Sequence, residues 1–331
     1  MYKEIYERIL NREGVLLTTR WIGDEGKTSD IQRTIITCAK DAGILEAKLL
    51  EDHYLVEPIT PKERLIILGG GHVAVPICSN AAGLGFAVTV IEDRKTFATK
   101  ERFPDAMQVI CGDYIESLQN LHITSYDYIV IVTRGHRSDS TCLKAVLDGE
   151  LPAYLGMIGS RNRVHQQLDI LKEAGYPAEV LDKICTPIGL DIGAITPYEI
   201  SISILAQIIC YKRKPSQYFF AKNRTVNTSD LELDVLKYLA KHEGEPMAMA
   251  TIFNTRGSSP RKEGAKMLIL PDGTIIGTIG GGMMENLAYQ EGLNLIGTGR
   301  YKVLYLNMKG KVAANAGMVC GGDMDVLVED L

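Results

Sequence analysis

Short apolar runs alternate with amphipathic stretches through the middle of this chain. Leu65-Ile66-Ile67-Leu68 leads straight into Gly69-Gly70-Gly71-His72, and a helical pattern follows in Val73, Ile77, Ala81 and Leu84. A second run, residues 86–91, ends in Glu92-Asp93, and others lie at 107–111, 128–133 and 153–158. Continuous apolar runs separated by helical patterns read as buried parallel strands with crossover helices. Residues 61–213 are therefore expected to form an α/β domain, a doubly wound Rossmann-like parallel sheet.

The ends of the chain carry a different pattern. Residues 230–331 predict a smaller α+β domain: a helix at 231–242, a strand at 247–254, then strands at 266–270 and 274–278 around the turn Pro271-Asp272-Gly273. Residues 1–60 predict a short α+β segment, with a helix at 1–11, a polar turn at 23–28 and strands at 14–21 and 48–58. Residues 214–229 are polar and aperiodic apart from Tyr218-Phe219-Phe220, and read as a linker. A weak echo connects the two ends. Ile9–Gly14 before a strand resembles 239–244 before a strand, and Asp52–Glu57 resembles 324–329. The first segment is either a shortened, motif-less copy of the last domain or an unrelated α+β end of similar composition.

Composition narrows the class. The 331 residues are 46% hydrophobic with a net charge of −5, so nothing offers the basic footprint that nucleic acid or an anionic membrane requires. No signal peptide or bilayer-length apolar run is read. Seven cysteines, mostly inside apolar runs and without a C-x-x-C, suit a reducing, cytoplasmic setting.

Candidate chemistry gathers at predicted strand ends, where ligands bind in such sheets. Gly69, Gly71 and Ala74 give the spacing G-x-G-x-x-A, in which small residues allow a tight turn, backbone approach to a phosphate, and helix–strand packing. His72 either meets an anion there or caps its own loop. Glu92 and Asp93 stand where a ribose hydroxyl would be held. Thr133-Arg134-Gly135-His136 ends the fourth run, where His136 with Arg134 and Asp139 is a proton-handling set or Asp139 is a helix cap. Gly159-Ser160-Arg161 has the composition of an anion seat. Asp191, in the run 187–194, is a ligand or base, or belongs to a structural crossover.

In the last domain, Ser258, Ser259 and Arg261 lie in a glycine- and cation-rich loop, and Gly280, Gly281 and Gly282 form a second backbone nest before a helix. Glu285 is either a dipole-favoured first-turn residue or a general base. Cys320, flanked by Gly317, Gly321 and Gly322, is an accessible thiolate nucleophile or soft metal ligand, or inert packing.

These runs together resemble the XdhC/CoxI family, accessory factors of molybdenum hydroxylases such as xanthine dehydrogenase. Residues 68–73, 133–136, 159–161 and 187–194 are similar to its XdhC Rossmann domain, while 257–261, 280–285 and 320–322 are similar to its CoxI-type domain. The CoxI-type domain usually comes first, whereas here the complete copy comes last. Thr133-Arg134-Gly135-His136 also departs from the family's usual threonine, histidine, aspartate, histidine. The resemblance implies binding of molybdenum cofactor, as molybdopterin or its dinucleotide, and help with its sulfuration and insertion. It implies an apo molybdenum hydroxylase and a cysteine desulfurase as partners, and a homodimer. Cys320 would be the ligand at the metal end. A nicotinamide, NAD(P), in an oxidoreductase and a non-catalytic scaffold are the competing expectations.

Overall fold

The structure, a computed structural model, describes residues 1–36, 53–213, 229–257, 259–306 and 322–331, without the side chains of His136, Arg137, Arg161, Asn162, Arg163 and His165. Cys320, Ser258 and nearly all of the expected linker lie outside the described residues. The chain forms two compact units, Met1–Pro61 with Asn227–Leu331, and Lys62–Val226.

The first unit begins with α1 (Tyr2–Leu10), β1 (Val15–Trp21), β2 (Glu25–Lys27), β3 (Gln32–Ile36) and β4 (His53–Ile59). Strands β3-β1-β4 form an antiparallel sheet. Residues 23–28, expected as a turn, contain β2, which leaves that sheet to pair elsewhere. A strand this short, with exposed Glu25 and Lys27, gives no alternation to read in sequence; its partner defines it.

The second unit contains β5 (Arg64–Leu68), α2 (Ala74–Gly83), β6 (Ala87–Glu92), β7 (Gln108–Cys111), α3 (Tyr114–Leu121), β8 (Asp127–Ile131), α4 (His136–Leu147), β9 (Tyr154–Met157), α5 (Arg161–Glu173), α6 (Ala178–Leu181) and α7 (Pro197–Arg213). Its five strands are parallel in the order β7-β6-β5-β8-β9, the doubly wound arrangement. Leu65 and Ile67 pack with α2 and α7, whereas Ile66 and Leu68 pack with α3, α4 and α5. Both faces are covered, which is why β5 reads as an unbroken apolar run. Helix α7 opens with a capping box: Thr196 Oγ1 accepts from Glu199 N at 3.3 Å, and Glu199 accepts from Thr196 N at 2.8 Å.

The first unit is completed by α8 (Leu233–Lys241), β10 (Ala248–Arg256), β11 (Lys266–Ile269), β12 (Ile275–Gly277), α9 (Gly282–Leu295), β13 (Arg300–Leu306) and β14 (Asp323–Asp330). Its larger sheet runs β12-β11-β10-β14-β13-β2, so β2 forms an edge of the sheet built by the end of the chain. Ala248, Ala250 and Ile252 face α9, and Met249 on the opposite side joins α1, α8, Leu17 and Ile59 in one core. Lys266 Nζ lies 2.8 and 3.0 Å from the two Glu57 carboxylate oxygens, with both side chains almost fully buried. A buried ion pair contributes little against a well-packed apolar replacement, but removing one partner strands the other charge. Lys266→Met should therefore cost roughly 3–5 kcal/mol by urea denaturation, and adding Glu57→Leu should recover much of it. A single-variant loss no larger than that of an exposed ion pair would contradict the geometry.

Candidate cofactor-binding site

The glycine loop is built by three different demands. Gly69 sits at φ +110°, where a Cβ would lie 2.6 Å from the Val132 carbonyl oxygen beyond β8. Only glycine allows this turn at the point where the strand order reverses. Gly70 donates to Glu92 Oε2 at 2.6 Å, and its Cβ would meet the Phe97 carbonyl at 3.0 Å. Gly71 is different: a Cβ there would meet nothing within 4 Å. The loop is thus closed beneath Gly69 and Gly70 and open at Gly71, just before α2. His72 is exposed, and Ala74 is buried where helix packs on strand.

Glu92 does not face outward as a ribose ligand, which corrects one expectation. Its Oε1 accepts from Arg94 N at 3.1 Å and Arg94 Nε at 2.7 Å, while Oε2 accepts from Gly70 and from Arg94 Nη2 at 2.9 Å. Burial alone would raise its pKa, but hydrogen bonds from Arg94, Asp93 and the Gly70 amide outweigh it and pull the pKa down to about 2. The carboxylate braces the loop from below. Asp93 is the exposed acid of the pair, and its carboxyl is raised by its hydrogen bond with Glu92. Two arginines escaped the sequence reading. Arg94 lies over the Phe97 ring at 3.7 Å, and Arg102 Nε donates to the Gly70 carbonyl at 2.9 Å. Arg102 Nη2 is buried without a hydrogen-bond partner. No spacing rule marks either residue; they reach the loop through the segment between β6 and β7.

The other strand ends share this carboxyl edge. Thr133 Oγ1 donates to the buried Asp139, so Asp139 works inside the loop before α4, and His136 is the first residue of that helix. Gly159 and Ser160 precede α5, with Ser160 at its N-cap and Arg161 as its first residue. Asp191 is exposed. Its loop is anchored by residues the sequence did not single out: Gln207 accepts from Gly189 N at 2.9 Å and from the Tyr154 hydroxyl at 2.7 Å, and Ser203 donates to the Leu190 carbonyl at 2.6 Å.

In the first unit the structure joins two predicted loops. A Cβ on Gly280 would lie 2.8 Å from Pro260 Cγ, so the Ser259–Arg261 and Gly280–Gly282 stretches touch. Gly280, Gly281 and Gly282 all have positive φ, which turns the backbone into the start of α9. Glu285 organises this turn rather than standing free as a base: its Oε2 accepts from Ile279 N and Gly281 N at 3.1 Å and from Thr278 Oγ1. Arg261 is likewise committed. It donates to Asp230 Oδ2 and to the Asp230 carbonyl at 2.8 Å, and pairs with Glu232. Its expected role in holding an anion is corrected to anchoring the loop on the 230–232 stretch. Ser259 Oγ is buried without a partner. Among the described residues no group of three or more His, Cys, Asp or Glu is arranged for a metal ion.

A doubly wound sheet with a glycine loop at its switch point is the architecture of a Rossmann domain. Residues 65–208 match the XdhC Rossmann domain, and residues 240–307 match the XdhC and CoxI family. The chain belongs to the XdhC and CoxI family, with its CoxI-type domain after the Rossmann domain. It is 31% identical over 185 residues to a probable xanthine dehydrogenase subunit of Bacillus subtilis, covering 56% of this chain and 52% of that protein. It is 32% identical over 152 residues to the uncharacterized protein YqeB of Escherichia coli, covering 46% of this chain and 28% of that one. The chain thus spans about half the length of the first relative and less of the second. A crystal structure of a xanthine dehydrogenase from Bacillus halodurans is similar at 27% identity with a TM-score of 0.53, over 65% of this chain and 67% of that one.

Two outcomes follow. Gly71→Val places a branched side chain in the open part of the loop, so calorimetric binding of a phosphate-bearing nucleotide should be lost while the unfolding temperature changes little. Unaltered binding would remove the loop from the site. For Glu92, the depressed pKa means its contribution is complete above the ordinary glutamate value of 4.5 and is lost as pH falls toward 2. Glu92→Gln should lower the unfolding free energy from urea denaturation at pH 7 by on the order of 2 kcal/mol and flatten its decline between pH 4.5 and 2. A parallel decline in both proteins would contradict this assignment.

Proposed function

We propose that this chain is an accessory protein for a xanthine dehydrogenase-type molybdenum hydroxylase, binding molybdenum cofactor and assisting its sulfuration and insertion. Family membership together with the open glycine loop carries the reading. The phosphate of a pterin cofactor, or its dinucleotide end, fits what the carboxyl edge offers: free space at Gly71, the N-terminus of α2, and the unpartnered Arg102 Nη2 beside Gly70. When bound, the cofactor would supply the molybdenum centre. The chain's own contribution would be to hold the anion without moving: Glu92 and Gly69 keep the loop rigid, so binding does not have to order it.

Cys320 is retained in this proposal as the soft ligand for the metal end or for transferred sulfur. The apo-hydroxylase, the cysteine desulfurase and a homodimeric state belong to the same proposal. The test is purification from a host that makes molybdenum cofactor, with metal analysis and mass spectrometry of the released small molecule. Released molybdopterin or its dinucleotide, with molybdenum retained by wild type and reduced several-fold in Cys320→Ser, is expected. Nicotinamide nucleotide in place of pterin would favour an oxidoreductase, and no bound molecule would favour a scaffold. Equal molybdenum in both proteins would remove Cys320 from the site.

A further inference from the structure

The two ends of the chain meet in a pattern that repeats residue by residue. In the first half, Leu17 on β1 lies opposite Glu57 on one side and Ile35 on the other. In the last domain, Met249 on β10 lies opposite Glu329 and Leu268 in the same way. Two residues on, Thr19 is flanked by Leu55 and Arg33, and Thr251 by Leu327 and Lys266. The strand order β3-β1-β4 therefore corresponds to β11-β10-β14. The preceding helices correspond as well: α1 and α8 pack in one core, with Ile5 and Ile9 joined by Val235 and Leu239. Trp21 and Phe253, two residues beyond the threonines, meet edge to face with centroids 4.9 Å apart.

The buried charges then cross between the halves. Glu57 of the first pairs with Lys266 of the last, and Glu329 of the last pairs with Arg33 of the first. Under the correspondence just given, these are one interaction made twice. A single small cavity is lined by four corresponding pairs: the threonines, the aromatics, the two cations, and Leu55 with Leu327. Reciprocal contacts of this kind, i to j and j to i, are the signature of an isologous two-fold interface.

We propose that residues 1–60 are a reduced copy of the last domain, seated about a local two-fold axis on the face through which that domain would otherwise pair with a second copy of itself. The reduction is visible in length. In the sequence, residues 37–52 stand where the last domain has 270–324, a stretch that includes β12, the glycine loop, α9 and β13. Along β1 the burial alternates, whereas along β10 it stays continuous from Ala248 to Ile252. The intrachain pairing completes the interface and leaves its Gly280–Gly282 loop on one side only.

The test uses the full chain and sedimentation equilibrium. Arg33→Glu sets a carboxylate against Glu329 and releases the first segment while leaving every residue of the last domain unchanged. The molecular mass should then rise to twice that of wild type, because Lys266 of one chain can pair with Glu329 of a second. Adding Lys266→Glu should return it to the wild-type mass. A folded Arg33→Glu protein that keeps the wild-type mass over the whole concentration range would overturn the proposal. Should that variant not fold, a second one decides. Leu17→Met, Trp21→Phe, Arg33→Lys and Ile35→Leu together give the first segment the corresponding residues of the last domain at these paired positions, since Thr19, Leu55 and Glu57 already match. Cooperative unfolding within ~5 °C of wild type supports equivalence of the two faces, and loss of cooperativity overturns it.

Discussion

One compact unit of this protein depends on a buried ion pair between residues 209 positions apart in the chain, Glu57 and Lys266. Neither charge can remain in the apolar interior alone. Their pairing, with that of Arg33 and Glu329, requires the first sixty residues to return against the last hundred. The Rossmann unit is accordingly carried in sequence between two halves of another fold. The same demand explains β2, which gives its backbone to the edge of a sheet built by residues from the opposite end of the chain.

The Rossmann unit places its own constraint on a carboxylate. In the sequence, Glu92-Asp93 at the end of a strand reads as a ribose-binding pair. The fold divides the two: Glu92 points inward and accepts from the glycine loop and Arg94, and Asp93 remains at the surface. A charged side chain with both oxygens fully occupied is a better brace than a ligand. Arg261 and Glu285 follow the same logic in the other unit, where each spends its charge on a neighbouring loop. Residue types chosen for chemistry thus hold loops in place, while Gly71 faces open space and Arg102 and Ser259 keep buried side-chain atoms without hydrogen-bond partners.

Sequence by itself determined the elements whose signals are local. The parallel strands were legible because burial on both faces leaves continuous apolar runs, and the turn at Pro271-Asp272-Gly273 because its residues satisfy their own backbone. The family was legible because several of its motifs occur together in one chain, although in the reverse domain order. Tertiary structure alone decided which charges face a ligand and which face a partner, since a hydrogen bond from residue 70 to residue 92, or from 261 to 230, leaves no periodicity in the chain. It also decided where β2 belongs and how the echo between the chain's ends is used. Strand register is set by which side chains share a buried face, and that face exists only after both ends have met.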